Sequence, residues 1–127
     1  MFSATAQKHC LIVDDSDVIR RVLKHMLAAL RIEATEAVDG QDAIERCRAR
    51  MPDAILLDWS MPNLSGLDFL AFLRRQPGGD KPVVLYCPTE SDPADIARAL
   101  SAGADDILVK PFDRQDLQQK LVSAGVI

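Results

Sequence analysis

The chain has 127 residues, 48% of them apolar and 27% charged. That is the composition of a soluble globular domain and not of a disordered, collagen-like or low-complexity chain. At about 150 residues per domain, residues 1–127 make one domain, with a core expected over about 8–122. Fifteen basic against nineteen acidic residues give a net charge of −4, and no basic run is present to neutralise phosphates, which excludes non-specific nucleic-acid binding.

Cys10, Cys47 and Cys87 are odd in number, widely spaced and set in apolar surroundings, so they are expected as reduced core thiols and not as a disulfide or zinc framework. No apolar run approaches the ~20 residues that span a bilayer, and residues 1–8 lack an apolar signal core. A soluble cytoplasmic protein is expected.

In chain order, short apolar runs alternate with helical periodicity. The runs cover residues 10–13, 34–38, 54–57, 83–87 and 107–109. Unbroken apolar runs predict strands covered on both faces, as in a parallel sheet; the second, flanked and interrupted by Glu33 and Glu36, predicts an edge. Ile19, Val22, Leu23, Met26, Leu27 and Leu30 form an amphipathic stripe for the first helix. Ala43, Ile44 and Cys47 mark a second, which must end before Pro52. Leu67, Leu70 and Leu73 mark a third, opened by Ser65 with Asp68 three residues on. Asp92-Pro93 supplies a cap and first-turn proline for Ile96, Ala99 and Leu100. Asp113 caps the last helix, whose buried face is Leu117, Leu121 and Val122. The fold class is therefore α/β, a (βα)5 doubly wound five-stranded parallel sheet.

In such sheets ligands sit outside the carboxyl ends of the strands, at the switch point. Asp14-Asp15 follow the first strand, Asp58-Trp59-Ser60 the third, Pro88-Thr89-Glu90 the fourth and Lys110-Pro111-Phe112 the fifth. Three carboxylates and one ammonium thus share a rim. Clustered hard oxygens suit Mg2+ (or Mn2+), which takes few protein ligands, and Lys110 suits a phosphate oxygen. A carboxylate so placed can attack phosphorus to form an acyl phosphate. No G-x-x-x-x-G-K-[ST] and no G-x-G-x-x-G after the first strand is present, which disfavours P-loop and dinucleotide sites.

Asp14-Asp15 after a short apolar strand, Asp58 with Met61-Pro62 and Gly66 behind it, Ala102-Gly103-Ala104, and Lys110-Pro111-Phe112 together resemble the receiver domain of bacterial two-component response regulators. The resemblance runs from about Lys8 to Val122 and implies a flavodoxin-like sheet of strand order 2-1-3-4-5. It implies a stand-alone, chemotaxis-regulator-like receiver in which Asp58 accepts a phosphoryl group from a histidine kinase or histidine phosphotransfer protein. It implies that Asp14 and Asp15 organise the metal, with Asp15, Asp58 and the Ser60 main-chain carbonyl as direct ligands. Lys110 would contact the phosphoryl group, and the Lys110-Pro111 peptide would be cis. Such a protein assists its own phosphorylation and dephosphorylation but is not an enzyme with a separate substrate. Output would pass to another protein through the face of the fourth helix, fifth strand and fifth helix, with the chain a monomer or weak dimer.

Two family positions differ. Counting thirty residues on from Asp58, or twenty-two back from Lys110, puts Pro88 where receivers carry a Ser or Thr hydroxyl. The aromatic position three before Lys110 is Ile107. Proline offers no hydroxyl and Ile107 no polar tip, so phosphorylation is expected with a muted structural switch; Thr89 is the alternative phosphoryl contact. A pseudo-receiver that binds partners without phosphorylation is the competing function. An aspartate-dependent phosphatase of the haloacid dehalogenase type is disfavoured, because Ser60 stands where that class has a second Asp. His9, His25, Arg46, Arg48 and Arg50 are expected on the surface, Tyr86 in the core or at the rim, and Trp59 at the rim.

Overall fold

The computed structural model describes residues 7–58 and 64–127. Strands β1 (His9–Val13), β2 (Glu33–Ala37), β3 (Ala54–Leu57), β4 (Val83–Tyr86) and β5 (Asp106–Ile107) alternate with helices α1 (Asp17–Ala29), α2 (Gly40–Ala49), α3 (Gly66–Arg74), α4 (Pro93–Ala102) and α5 (Arg114–Ser123). The strand pairs are parallel, in the order β2-β1-β3-β4-β5. The order reverses between β1 and β3, so the crevice opens at the carboxyl ends of those two strands.

Side chains alternate between the faces of a strand, and that divides the core in two. Leu11, Val13, Ile55, Leu57, Val84 and Tyr86 face α2, α3 and α4, where Ile44, Phe69, Leu70 and Leu73 meet them. Cys10, Ile12, Leu56, Leu85 and Cys87 face α1 and α5, against Leu23, Leu27, Leu117 and Leu121. All three cysteines are free and buried. Burial pushes the Cys47 thiol up to about 11 and the Cys87 thiol up to about 12, so both remain protonated.

The helix starts follow the expected caps. Ser65 accepts from the Asp68 N–H, Asp92 from Ala94, and Asp113 and Asp116 form a reciprocal capping box. Gly103, in the Ala-Gly-Ala segment, closes α4 at φ 120°, a conformation L side chains rarely adopt. The Arg74 guanidinium lies against it. Its Nε and Nη2 donate to the Gly103 carbonyl at 3.0 and 2.7 Å, and Nη1 donates to the carbonyls of Gly79 and Pro82. A Cβ on Gly103 would come within 2.8 Å of the Arg74 Cγ.

Several expectations need correction. Val22, Leu67, Leu100 and Val122 are exposed. A helix laid on a sheet buries a narrower stripe than its whole apolar face: Leu23 and Leu27 in α1, Phe69, Leu70 and Leu73 in α3, Ala99 in α4, and Leu117 and Leu121 in α5. β5 ends at Ile107 and not at 109, although Leu108 and Lys110 still donate to the Tyr86 and Pro88 carbonyls alongside β4.

His9 is also corrected: it opens the central strand β1 and is buried, at 4% exposure, because both faces of that strand are covered. Its Nε2 lies 2.7 Å from the Thr35 hydroxyl, while Nδ1 is buried without a partner. Burial, reinforced by the Arg50 cation, holds its pKa below the ordinary 6.5. A base whose folded pKa is depressed contributes stability above its unfolded pKa, and that contribution is lost as pH falls through the folded value. Urea midpoints are therefore expected to drop from about pH 7 to about pH 5, and His9→Gln should flatten that slope.

Candidate functional site

Asp14 stands one residue past β1 and is 3% exposed, yet every hydrogen-bonding group on it has a partner. Its N–H donates to the Ala37 carbonyl at 3.1 Å. Its Oδ1 accepts from the Ser16 N–H at 2.9 Å, and its Oδ2 from the Lys110 ammonium at 2.8 Å. Its main-chain carbonyl accepts from the Arg20 guanidinium at 2.7 Å. The local sequence builds this: Ser16 caps α1 and accepts from the Ile19 N–H, which turns the chain sharply just after the aspartate pair.

Asp58 continues β3 as Asp14 continues β1; its N–H donates to the Val13 carbonyl at 2.8 Å. Lys110 reaches from beyond β5 to within 3.8 Å of the Asp58 Oδ1. Single carboxylate oxygens of Asp14, Asp15 and Asp58 all lie within 4.8 Å of one another. Asp14 is buried, Asp58 half-buried and Asp15 exposed, so the trio opens to solvent on one side. A cleft of about 460 Å³ covers it, walled on the far side by Tyr86, Pro88, Thr89 and Glu90.

Three carboxylates so close repel, and Lys110 is the cation the fold sets among them. Burial alone would lower its pKa, but the Asp14 hydrogen bond and the charges of Asp58 and Asp14 outweigh that and hold it above the ordinary 10.5. An ammonium has three donors. With Asp14 taking one at hydrogen-bond distance and Asp58 at longer range, Lys110 can still meet an incoming oxygen. The donor set of hard oxygens fits a divalent ion such as Mg2+. Trp59, Ser60, Met61 and Pro62 lie outside the described residues, so the expected Ser60 carbonyl ligand does too. The Lys110-Pro111 peptide is cis, as the resemblance implied.

The sheet register shows what flanks Asp58 toward β4. Leu57 pairs with Tyr86, and Tyr86 with Ile107. The Cys87 N–H then donates to the Leu57 carbonyl at 2.9 Å. The residue beside Asp58, just past the end of β4, is therefore Cys87, and Pro88 follows it at the cleft. Burial is the main influence on the Cys87 thiol, followed by the charges of Lys110, Asp14 and Asp58. Pro88 is buried at the cleft wall, and Thr89 is exposed there. Tyr86 is buried with its phenol pushed up to about 12, by burial first and then by Asp95, Asp58 and Asp92. Arg20 also went unmarked by the motifs. The signal was available: it falls on the same helical line as the buried Leu23 and Leu27.

A sheet rim that gathers the carboxylates of Asp14, Asp15 and Asp58 around the Lys110 ammonium defines a class of protein. The family model for the response regulator receiver domain matches residues 10–122, and the chain belongs to that family. It is 36% identical to the chemotaxis protein CheY1 of Helicobacter pylori over 113 residues, 87% of this chain and 91% of that one. Among solved structures it is similar to chemotaxis protein CheY4 of Vibrio cholerae, at TM-score 0.88 and 31% identity, covering 93% of this chain and 98% of that one. The receiver domain of the sensor histidine kinase PA1611 of Pseudomonas aeruginosa matches at TM-score 0.86 and 31% identity, over 93% and 97% of the two chains, and has a magnesium ion coordinated in its active site cleft. Receiver domains are phosphoacceptors of two-component systems, served by histidine kinases or phosphotransfer proteins, and they bind Mg2+ at an acidic pocket. Among the described residues, no helix is long and apolar enough to cross a membrane.

Proposed function

We propose that residues 1–127 form a single receiver domain in which Asp58 is the phosphoacceptor. The observation that carries this is the meeting of Asp58, Asp14, Asp15 and Lys110 at one rim, with Lys110 3.8 Å from the Asp58 Oδ1. An Asp58 carboxylate oxygen attacks the phosphorus of a phosphohistidine on a kinase or phosphotransfer protein. The P–N bond breaks, the leaving imidazole takes up a proton, and an acyl phosphate remains on Asp58. Lys110 donates to a phosphoryl oxygen and Asp14 keeps that ammonium in place. Mg2+ (or Mn2+) held by Asp15, Asp58 and the Ser60 main-chain carbonyl, with Asp14 behind them, would offset the charge on the transferring group. The Thr89 backbone and hydroxyl border the same cleft as a further contact. The chain thus acts as a phosphoacceptor that assists its own phosphorylation and dephosphorylation.

The switch is atypical. Cys87, beside Asp58, offers only a weak S–H donor, Pro88 after it offers none, and Ile107 has no polar tip. Output through the α4-β5-α5 face to another protein, from a cytoplasmic monomer or weak dimer, is therefore muted. Intact-mass measurement after incubation with acetyl phosphate and Mg2+ tests the acceptor: one phosphoryl group is gained, and none in EDTA. A chain that gains nothing acts instead as a phosphorylation-independent binding module. Beryllium fluoride with Mg2+ tests the switch: amide shifts are expected to be large around the cleft and small across residues 92–121. Large shifts throughout that stretch refute the muted switch.

A further inference from the structure

We propose that Arg20 is a positioning residue for the metal site, a role that rests on the Mg2+-dependent function above. Arg20 is 7% exposed and does not border the cleft; it works from behind. The Asp14 N–H is bonded to β2 and the Asp58 N–H to the last carbonyl of β1, so the Asp14 carbonyl is the first one past the sheet with no strand to pair. Buried and unpartnered, it would carry the desolvation penalty of an orphaned acceptor. The Arg20 Nη1 supplies that partner at 2.7 Å.

The guanidinium is itself fixed on its other edges. Its Nε donates to the Glu36 Oε1 at 3.1 Å and its Nη2 to the Asp17 carboxylate. Glu36 in turn takes the Lys24 ammonium at 3.2 Å. One planar fork therefore ties α1, β2 and the end of β1 together.

What that fork pins is a peptide plane. The Asp14 carbonyl and the Asp15 N–H belong to one rigid unit, so holding the oxygen sets the direction in which Asp15 leaves the strand. Asp14 is oriented by Ser16 and Lys110 as well, but Asp15 is exposed and receives its placement through this peptide. Arg20 thereby acts on a metal ligand without touching the metal, as outer partners of metal ligands do.

The test is calorimetric Mg2+ titration of wild type, Arg20→Lys and Glu36→Gln, with melting curves in EDTA and metal-free amide exchange at Asp15 and Ser16. Lysine keeps the charge but loses the fork. Arg20→Lys should bind Mg2+ about 10- to 100-fold more weakly and exchange the Asp15 amide faster before any metal is added. Glu36→Gln, which loosens the outer anchor only, should lose about fivefold and decides the matter if Arg20→Lys does not fold. Wild-type binding with both variants within twofold of it overturns the role of Arg20 and leaves the proposed function standing. A wild type that ignores Mg2+ overturns the proposed function instead; the metal-free amide comparison still decides whether Arg20 pins the peptide.

Discussion

Asp58→Asn stays at its unmodified mass after incubation with acetyl phosphate and Mg2+, while the wild type gains one phosphoryl group. The substitution keeps the volume and shape of the side chain and removes the nucleophile, since an amide oxygen does not form a stable bond to phosphorus under these conditions. The fold is expected to survive. Lys110 keeps its 2.8 Å bond to Asp14, and one of three mutually repelling carboxylates is gone. The unfolding free energy from urea titration should therefore stay within about 1 kcal/mol of wild type. Phosphorylation lost with stability kept separates a chemical role from a structural one. A phosphorylated Asp58→Asn protein would place the acceptor elsewhere.

Lys110→Met should reverse that pattern and damage both. Asp14 is buried, and among the described residues the ammonium is the one charged partner of its carboxylate at hydrogen-bond distance. Removing one member of a buried pair costs about 3–5 kcal/mol, because the remaining charge is uncompensated. Here the Ser16 N–H and solvent at the open side of the trio put the loss at the low end, about 3 kcal/mol in EDTA at neutral pH. Mg2+ should raise the urea midpoint of the variant more than that of wild type, because a cation binding the folded state alone stabilises it. Acetyl phosphate labelling should fall about 10²- to 10³-fold, the effect of losing one donor to developing charge. Equal stabilisation of both proteins by Mg2+ would mean that the lysine and the metal do not answer the same charge.

The architecture and the rim were legible because each rests on a local signal. Unbroken apolar runs specify buried parallel strands, and Asp14, Asp15, Asp58 and Lys110 stand at their carboxyl ends whatever the details of packing. Quantities set by tertiary contact were not legible. Val22 and Leu100 carry the correct helical period, but the line of contact with the sheet is narrower than the period allows. That Cys87 lies beside Asp58 was not legible, because hydrogen bonds between neighbouring strands, and not distance along the chain, choose that neighbour. His9 was misplaced and Arg20 passed over for a related reason. Polar residues on buried lines are recognised only when their partners, Thr35 for one and the Asp14 carbonyl for the other, are seen.

The two ends of α4 are held very differently. At Gly103 the helix terminates on Arg74, which also grips the segment leading into β4 and pairs with Asp105 at 3.0 Å. At Asp92 it begins beside the cleft, capped only by its own side chain, and along its length Ala99 alone is buried. A rod clamped at its foot passes little beyond the clamp, so a disturbance of the cleft is expected to stay beside Asp92 and to die out toward Gly103, in keeping with a muted switch.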